Sequence, residues 1–419
     1  MALIEEGSCL IEFINKQGLG SGKSPLGLVE VPYALPSEII TFQRHGYRRK
    51  SNCLLKSIET LSSHRVTPEC KYFGRCGGCM LQHMDLETYD NFKLSLVKNA
   101  LPPETKIKPI ITIPKGNRRR INLQALKKDE QLFLGFHRFH SHQIIDIDTC
   151  PAMMRPLSAI LIPLKEVLMN ILEHRQKAEI FLTHASNGID MLIELHDLID
   201  IAPKQERELV DFAKKTGIIR LQFRSSKKPK ILFETEKPYI LLGDKKVATD
   251  ARGFMQASFS SDQILADLVE QYLPQEKGAL VDLFCGRGTF SLPLSKRFSV
   301  DGFECDATSL EALKEASEGA IMLHKRDLFT NPLSIDELRP YRFAVINPPR
   351  AGALEQIKAL AHSECERVVY ISCNPESFAR DAVILKNGGY KLLEITPVDQ
   401  FYWSSHLEVV GVFVSTAAL

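Results

Sequence analysis

The chain has 419 residues, 44% hydrophobic and 25% charged, ordinary globular usage that excludes a disordered or collagen-like chain and suggests two or three domains. No run approaches the roughly 18 apolar residues that mark a membrane-spanning helix, and the opening MALIEEGSCLIEF, with Glu5 and Glu6 in its first short apolar stretch, does not read as a secretory leader. The formal net charge of +2 conceals a split: residues 1–250 carry 37 basic and 29 acidic side chains, a net +8, whereas residues 251–419 carry 16 and 22, a net −6. A basic front joined to an acidic back suggests that one part holds a polyanion.

In residues 1–62, short apolar runs such as Leu28–Val31 and Glu38–Thr41 are broken by Gly18, Gly20, Gly22, Gly27, Pro32 and Pro36. That pattern predicts a small antiparallel barrel. The basic run from Arg44 to Lys50 surrounds Tyr47, which suits phosphate contact and base stacking, or equally a solvated hairpin tip. Residues 63–250 mix strands and helices. Alternation over 120–126 predicts a half-buried strand, and two further basic clusters stand at Lys115, Arg118, Arg119, Arg120 and at Arg224, Lys227, Lys228, Lys230. The ten cysteines point to a reducing compartment and to metal or catalytic use; Cys70, Cys76 and Cys79 crowd together.

From residue 251 the pattern changes. Ser260 or Ser261 can cap a helix whose Ile264, Leu265, Leu268, Val269, Tyr272 and Leu273 share one face. Strand-like runs at 279–284, 299–303, 342–346 and 367–372 then alternate with helical segments, the signature of an open, doubly wound α/β sheet. Ligands of such sheets bind outside the carboxyl ends of the strands. The first strand runs into Phe284-Cys285-Gly286-Arg287-Gly288, and the second ends at Glu304, 18 residues after Gly286. Glycines let the backbone approach a ligand, and an acid there accepts hydrogen bonds from ribose hydroxyls. Because Ser291 replaces the third glycine of a dinucleotide fingerprint, S-adenosylmethionine is favoured over NAD.

Three more strand ends carry chemistry. Two prolines lock the exit Asn347-Pro348-Pro349-Arg350. Ser372-Cys373-Asn374-Pro375 puts a thiol before a helix, where the N-terminus is expected to favour thiolate; buried structural cysteine is the bland alternative. Glu408 opens a very apolar strand, as a solvated strand end or as a proton acceptor in a partly dry site.

Together DLFCGRGTFSLPL, NPPRAG, SCNPESFARD and PVDQFYWSSHLEVV resemble the RNA (uracil-5-)-methyltransferase family, and the likeness covers nearly the whole chain. CKYFGRCGGCMLQH with LGFHRFHSHQIIDIDTC resembles the family's iron–sulfur motif, and GLGSGKSPLGLVEVPYALPSEII its RNA-binding TRAM domain. The resemblance implies an α/β protein: an OB-like barrel at 1–62, a mixed α+β iron–sulfur and RNA-binding domain at 63–250, and a Rossmann-like catalytic domain at 251–419. It implies Cys373 as nucleophile and Glu408 as general base. Gln256, Phe284, Gly286, Glu304, Asp327 and Asn347 would line the cofactor site, and Cys70, Cys76, Cys79 and Cys150 would hold a 4Fe–4S cluster. Spacing alone leaves a zinc site open.

The expected partner is structured RNA, 23S ribosomal RNA first, with no membrane and no DNA, for a cytoplasmic monomer. Many relatives have Asp where Asn347 stands; Asn occurs in a ribosomal-RNA branch and tilts the choice from transfer RNA. An amino-methyltransferase is the rival chemistry, but it leaves Cys373 idle and meets Arg350 where an aromatic is needed. A catalytically idle RNA-binding or ribosome-assembly protein is the other alternative.

Overall fold

The computed structural model describes residues 4–45, 52–196, 200–225 and 228–418. Gly46 to Lys50 of the basic run, and Lys227, lie outside the described residues. Glycine and proline turns cut the N-terminal apolar runs into two three-stranded antiparallel sheets. One holds Ile4–Leu10, Ile39–His45 and Asn52–Thr60; the other holds Phe13–Ile14, Leu19–Ser24 and Gly27–Pro32. They share a core of Ile11, Val29, Val31, Ile40 and Phe42.

A seven-stranded sheet follows, centred on Arg120–Lys128 and Lys177–Ala185. The alternation expected at 120–126 is present, with Ile121, Leu123 and Ala125 buried against Leu161, Leu164 and Leu168 of the helix Leu161–Ile171. Gly188–Leu195 and Ile218–Arg224 pair in parallel, joined by the helix Pro203–Thr216, whose end Gly217 caps with φ +71°.

The third sheet has eight strands, in the order Ile321–Lys325, Ser299–Glu304, Ala279–Leu283, Phe343–Ile346, Arg367–Ser372, Glu408–Ser415, Tyr390–Asp399 and Ile111–Thr112. The first five run parallel. Glu408–Ser415 is antiparallel to both its neighbours. Strand order reverses beside Ala279–Leu283, the switch point where a doubly wound sheet opens a crevice. The helix after residue 251 spans Phe259–Tyr272, and its cap is Ser258 rather than Ser260 or Ser261: the Ser258 hydroxyl accepts the Ser261 N–H at 3.1 Å. Packing crosses residue 251, since Val97, Leu101, Ile113, Ile240, Leu242 and Val247 all join the cores flanking this sheet.

Candidate active site

The exit from Ala279–Leu283 bends at once, with Phe284 in the left-handed region at φ +63°. Gly288 has φ +93°, and a Cβ there would lie 2.4 Å from Leu313 Cδ1, so the turn needs glycine twice over. The glycine turn and the acid meet: the Gly286 N–H donates to Glu304 Oε2 at 3.2 Å. Glu304 Oε1 accepts the Cys305 and Asp306 N–H groups at 2.7 and 2.9 Å. Phe284 faces Phe329 with ring centroids 5.4 Å apart. Asp327 is exposed and closes its own turn by accepting the Phe329 N–H at 2.9 Å, which holds its carboxyl below the usual range. Asn347 is half-buried, and its N–H donates to Leu283 O at 3.2 Å, tying the second exit to the first.

Cys373 follows Arg367–Ser372 directly and precedes Asn374, the N-cap of Pro375–Asn387. Asn374 Nδ2 donates to Arg350 O at 3.2 Å, binding the NPPR exit to the SCNP exit. The thiol is half-buried, neither sealed in the core nor freely solvated. The expected easing toward thiolate is not what its surroundings produce. Burial first, and the Glu408 carboxylate second, push the Cys373 thiol up to about 11, while Arg350 opposes them. Glu408 is 3% exposed; burial drives it up to about 7 against a hydrogen bond from Gln400. The two reactive groups expected from the sequence therefore lie within electrostatic reach of each other.

Gln400 was not singled out in the sequence. It sits just beyond Tyr390–Asp399, and its Nε2 donates to Glu408 Oε2 at 2.8 Å and to Gln256 Oε1 at 2.9 Å. Gln256 is thus linked to Glu408 through an intermediary. Its backbone is held from behind by buried Arg119, whose Nε donates to Gln256 O at 3.0 Å and whose guanidinium pairs with Asp262. A separate cavity of about 160 Å³, among Val66, Gln82, Tyr89, Lys115, Tyr402 and Trp403, contains none of the expected site residues.

The profile of the family described as tRNA (uracil-5-)-methyltransferase matches residues 93–319 and 306–417. The chain belongs to that family. Members are RNA (uracil-5-)-methyltransferases that use S-adenosylmethionine. An uncharacterized RNA methyltransferase of Brucella melitensis is 35% identical, over 98% of this chain and 99% of its own. The 23S rRNA (uracil(1939)-C(5))-methyltransferase RlmD of Haemophilus parainfluenzae is 28% identical, over 96% and 95%. The crystal structure of Pyrococcus abyssi tRNA (uracil-54, C5)-methyltransferase with S-adenosyl-L-homocysteine superposes with a TM-score of 0.74 at 22% identity, covering 97% of this chain and 100% of that one. At that identity it establishes the mixed α/β methyltransferase fold.

Among the described residues, no three Cys, His, Asp or Glu side chains stand as a ready-made metal cage. The four expected cysteines are nevertheless neighbours. Cys79 is pushed up to about 12 by burial and then by Cys150, Cys76 and Cys70, and Cys76 up to about 11 by burial, then Cys150 and Cys70. Polar groups nevertheless stand around the buried thiols. The Tyr33 hydroxyl is buried without a partner, and burial and then Cys76 and Cys79 raise it to about 12. Gln82 lends a side-chain hydrogen bond to Cys79 while its Oε1 accepts the Cys70 N–H at 3.1 Å. Arg118 opposes the rise at Cys150. A Cβ on Gly77 would lie 2.8 Å from both His137 O and Phe139 N, so the chain between the thiols passes where only glycine fits. The donor set and the orphan hydroxyl are of the kind a tetrathiolate centre would use.

Proposed function

We propose that this chain forms 5-methyluridine in RNA, with 23S ribosomal RNA as its substrate, through a temporary bond between Cys373 and uracil C6. The observation that carries the reading is the approach of Cys373, Glu408 and Gln256 at the carboxyl edge of one sheet. C5 of uracil is a weak nucleophile. Addition of the Cys373 thiolate to C6 moves the C5–C6 π pair onto C5 and O4, which makes C5 electron-rich. S-adenosylmethionine supplies the methyl cation, leaving as S-adenosylhomocysteine. Glu408 then takes the C5 proton, the freed pair re-forms C5=C6, and the thiolate departs. Before the first step the thiol must lose its proton against burial. Arg350 already opposes that burial.

In the same reading, Phe284, Gly286, Glu304 and Asp327 border the adenosine, and Asn347 offers the base one acceptor and two donor hydrogens without charge. A uridine inside folded RNA must be flipped out to reach Cys373. The N-terminal sheets act as an OB-like RNA-binding barrel over about residues 1–62, and residues 63–250 as the intervening domain. Cys70, Cys76, Cys79 and Cys150 hold a 4Fe–4S cluster that orders RNA-binding loops. The protein works as a cytoplasmic monomer. Transfer RNA is the second substrate reading, favoured by the Pyrococcus abyssi likeness, whereas RlmD favours ribosomal RNA at higher identity.

One experiment tests chemistry and substrate together. RNA carrying 5-fluorouridine cannot release its C5 substituent as a proton, so a methylated adduct should remain attached to the protein. A 23S fragment is expected to be trapped and transfer RNA left free, with no adduct in Cys373→Ser. An adduct undiminished in Cys373→Ser removes the nucleophile, and trapping of transfer RNA alone reverses the substrate choice.

A further inference from the structure

We propose that Gln400 is a positioning residue: with one amide it selects the Glu408 oxygen left to take the C5 proton and sets the face that Gln256 turns toward the ligands. The inference rests on the roles given above to Cys373 and Glu408. An amide carries two donor hydrogens and an accepting oxygen, and here all are engaged. The Ala257 N–H donates to Gln400 Oε1 at 3.2 Å, which only an oxygen can receive, so the nitrogen must face Glu408 and Gln256. Its two hydrogens go to Glu408 Oε2 at 2.8 Å and Gln256 Oε1 at 2.9 Å.

Two consequences follow from that orientation. With Oε2 engaged, Oε1 is the carboxylate oxygen left for a proton. With its carbonyl engaged, Gln256 has its NH2 to offer, a donor suited to a uracil carbonyl or to the carboxylate of an amino-acid-bearing cofactor. All three side chains are at least nine-tenths buried, with 7%, 5% and 3% exposure for Gln400, Gln256 and Glu408, so no bulk water stands in for a lost partner.

Cys373 approaches from the end of Arg367–Ser372 with Arg350 beside it; His406 lies in the loop leading to Glu408, and Arg119 with Asp262 stands behind Gln256. None of these donates a hydrogen bond to the Glu408 carboxylate, whereas Gln400 does. A hydrogen bond to the ionised form favours ionisation, so losing it moves the titration of Glu408 upward.

The test uses the full-length protein. Gln400→Met keeps the length of the side chain and removes both donor and acceptor. The acidic limb of its kcat–pH profile on uridine-containing RNA should move up by about one pH unit, and a covalent protein–RNA adduct should build up during turnover because proton removal lags. Gln400→Glu, the same shape with a second carboxyl, should move the limb further, since two carboxyls sharing one site resist ionising together. If Gln400→Met does not fold, as read by circular dichroism, Gln400→Glu carries the decision. Adduct formation on 5-fluorouridine RNA stops before proton removal and serves as the control. No adduct from the parent protein overturns the Cys373 role on which the inference rests. An adduct from the parent and both variants, with acidic limbs that coincide, overturns the positioning role alone. A folded variant that loses the adduct also overturns it, by placing Gln400 in the chemistry of the thiol.

Discussion

Glu408 has an ordinary value of 4.5 that burial raises to about 7 in the folded chain. Below pH 4.5 the carboxyl is neutral whether the chain is folded or not, and it costs nothing. Between 4.5 and 7 the unfolded chain releases the proton first, so stability falls as pH rises, by about 3 kcal/mol in all at roughly 1.4 kcal/mol per pH unit. Above 7 the cost stays constant. Glu408→Gln keeps the shape and removes the titration. It should lose methyl transfer, melt close to the parent at pH 4.5, and melt several degrees above it at pH 8. Equal differences in Tm at both pH values would mean that burial of charge is not what destabilises the site. The same carboxylate must be ionised to accept a proton, so activity is expected to rise through pH 7 while stability has already fallen.

One helix governs the loop that carries these groups. Leu86–Lys98 starts at Asp85, whose carboxylate accepts the Thr88 N–H at 2.8 Å. Two turns on, Lys93 is fully buried, with its Nζ 2.7 Å from Asp399 Oδ1 and 2.6 Å from His406 O. Tyr89 donates to the other Asp399 oxygen and accepts the Trp403 N–H at 3.0 Å. Asp399 precedes Gln400, and His406 lies two residues before Glu408, so both ends of the loop hang on one ammonium. Lys93→Met leaves a buried carboxylate without its cation, and denaturant titration should show a loss of about 3–5 kcal/mol. Lys93→Met combined with Asp399→Leu should recover part of that loss but not the methyl transfer, because the loop is no longer clamped. Purely additive losses in the double-mutant cycle would show that the pair is not coupled.

The sequence displays the strand exits but not this clamp, for a physical reason. In a parallel α/β sheet, local glycine, proline and acid signals fall where strands end; the placement of Gly286, Glu304, Asn347 and Cys373 at strand exits was legible on that basis. Lys93 and Asp399 are 306 residues apart, and a lone lysine in an amphipathic helix reads as solvated until the fold buries it. Gln400 carries no local signal either. The Ser258 cap was missed because neighbouring serines offer equivalent hydroxyls, and only backbone geometry chooses among them.

Across the whole molecule, the cysteine region and the reactive site share a wall. The Met80 and Leu81 N–H groups, directly after Cys79, donate to Trp403 O at 2.8 and 3.2 Å, and Trp403 is held at φ +63°, an uncommon conformation for a bulky residue. On the other side, Arg118 opposes the rise at Cys150, while its neighbour Arg119 grips Gln256. Filling the cysteine site should therefore stiffen the stretch from Gln400 to Glu408 without touching it. Trp403 is the single tryptophan of the chain and reports on that stretch directly. Anaerobically purified protein should be brown and carry iron and sulfide, both lost in Cys76→Ser. That variant should shift the wavelength of the Trp403 emission maximum, a safer signal than intensity because a cluster also quenches. It should expose amides 400–408 to faster hydrogen exchange and slow adduct formation on 5-fluorouridine RNA. Stoichiometric zinc in place of iron would change the metal and leave the mechanical argument standing. An unchanged emission maximum and unchanged exchange in Cys76→Ser would instead cut the link between the two sites, leaving the cysteines to serve the RNA surface alone.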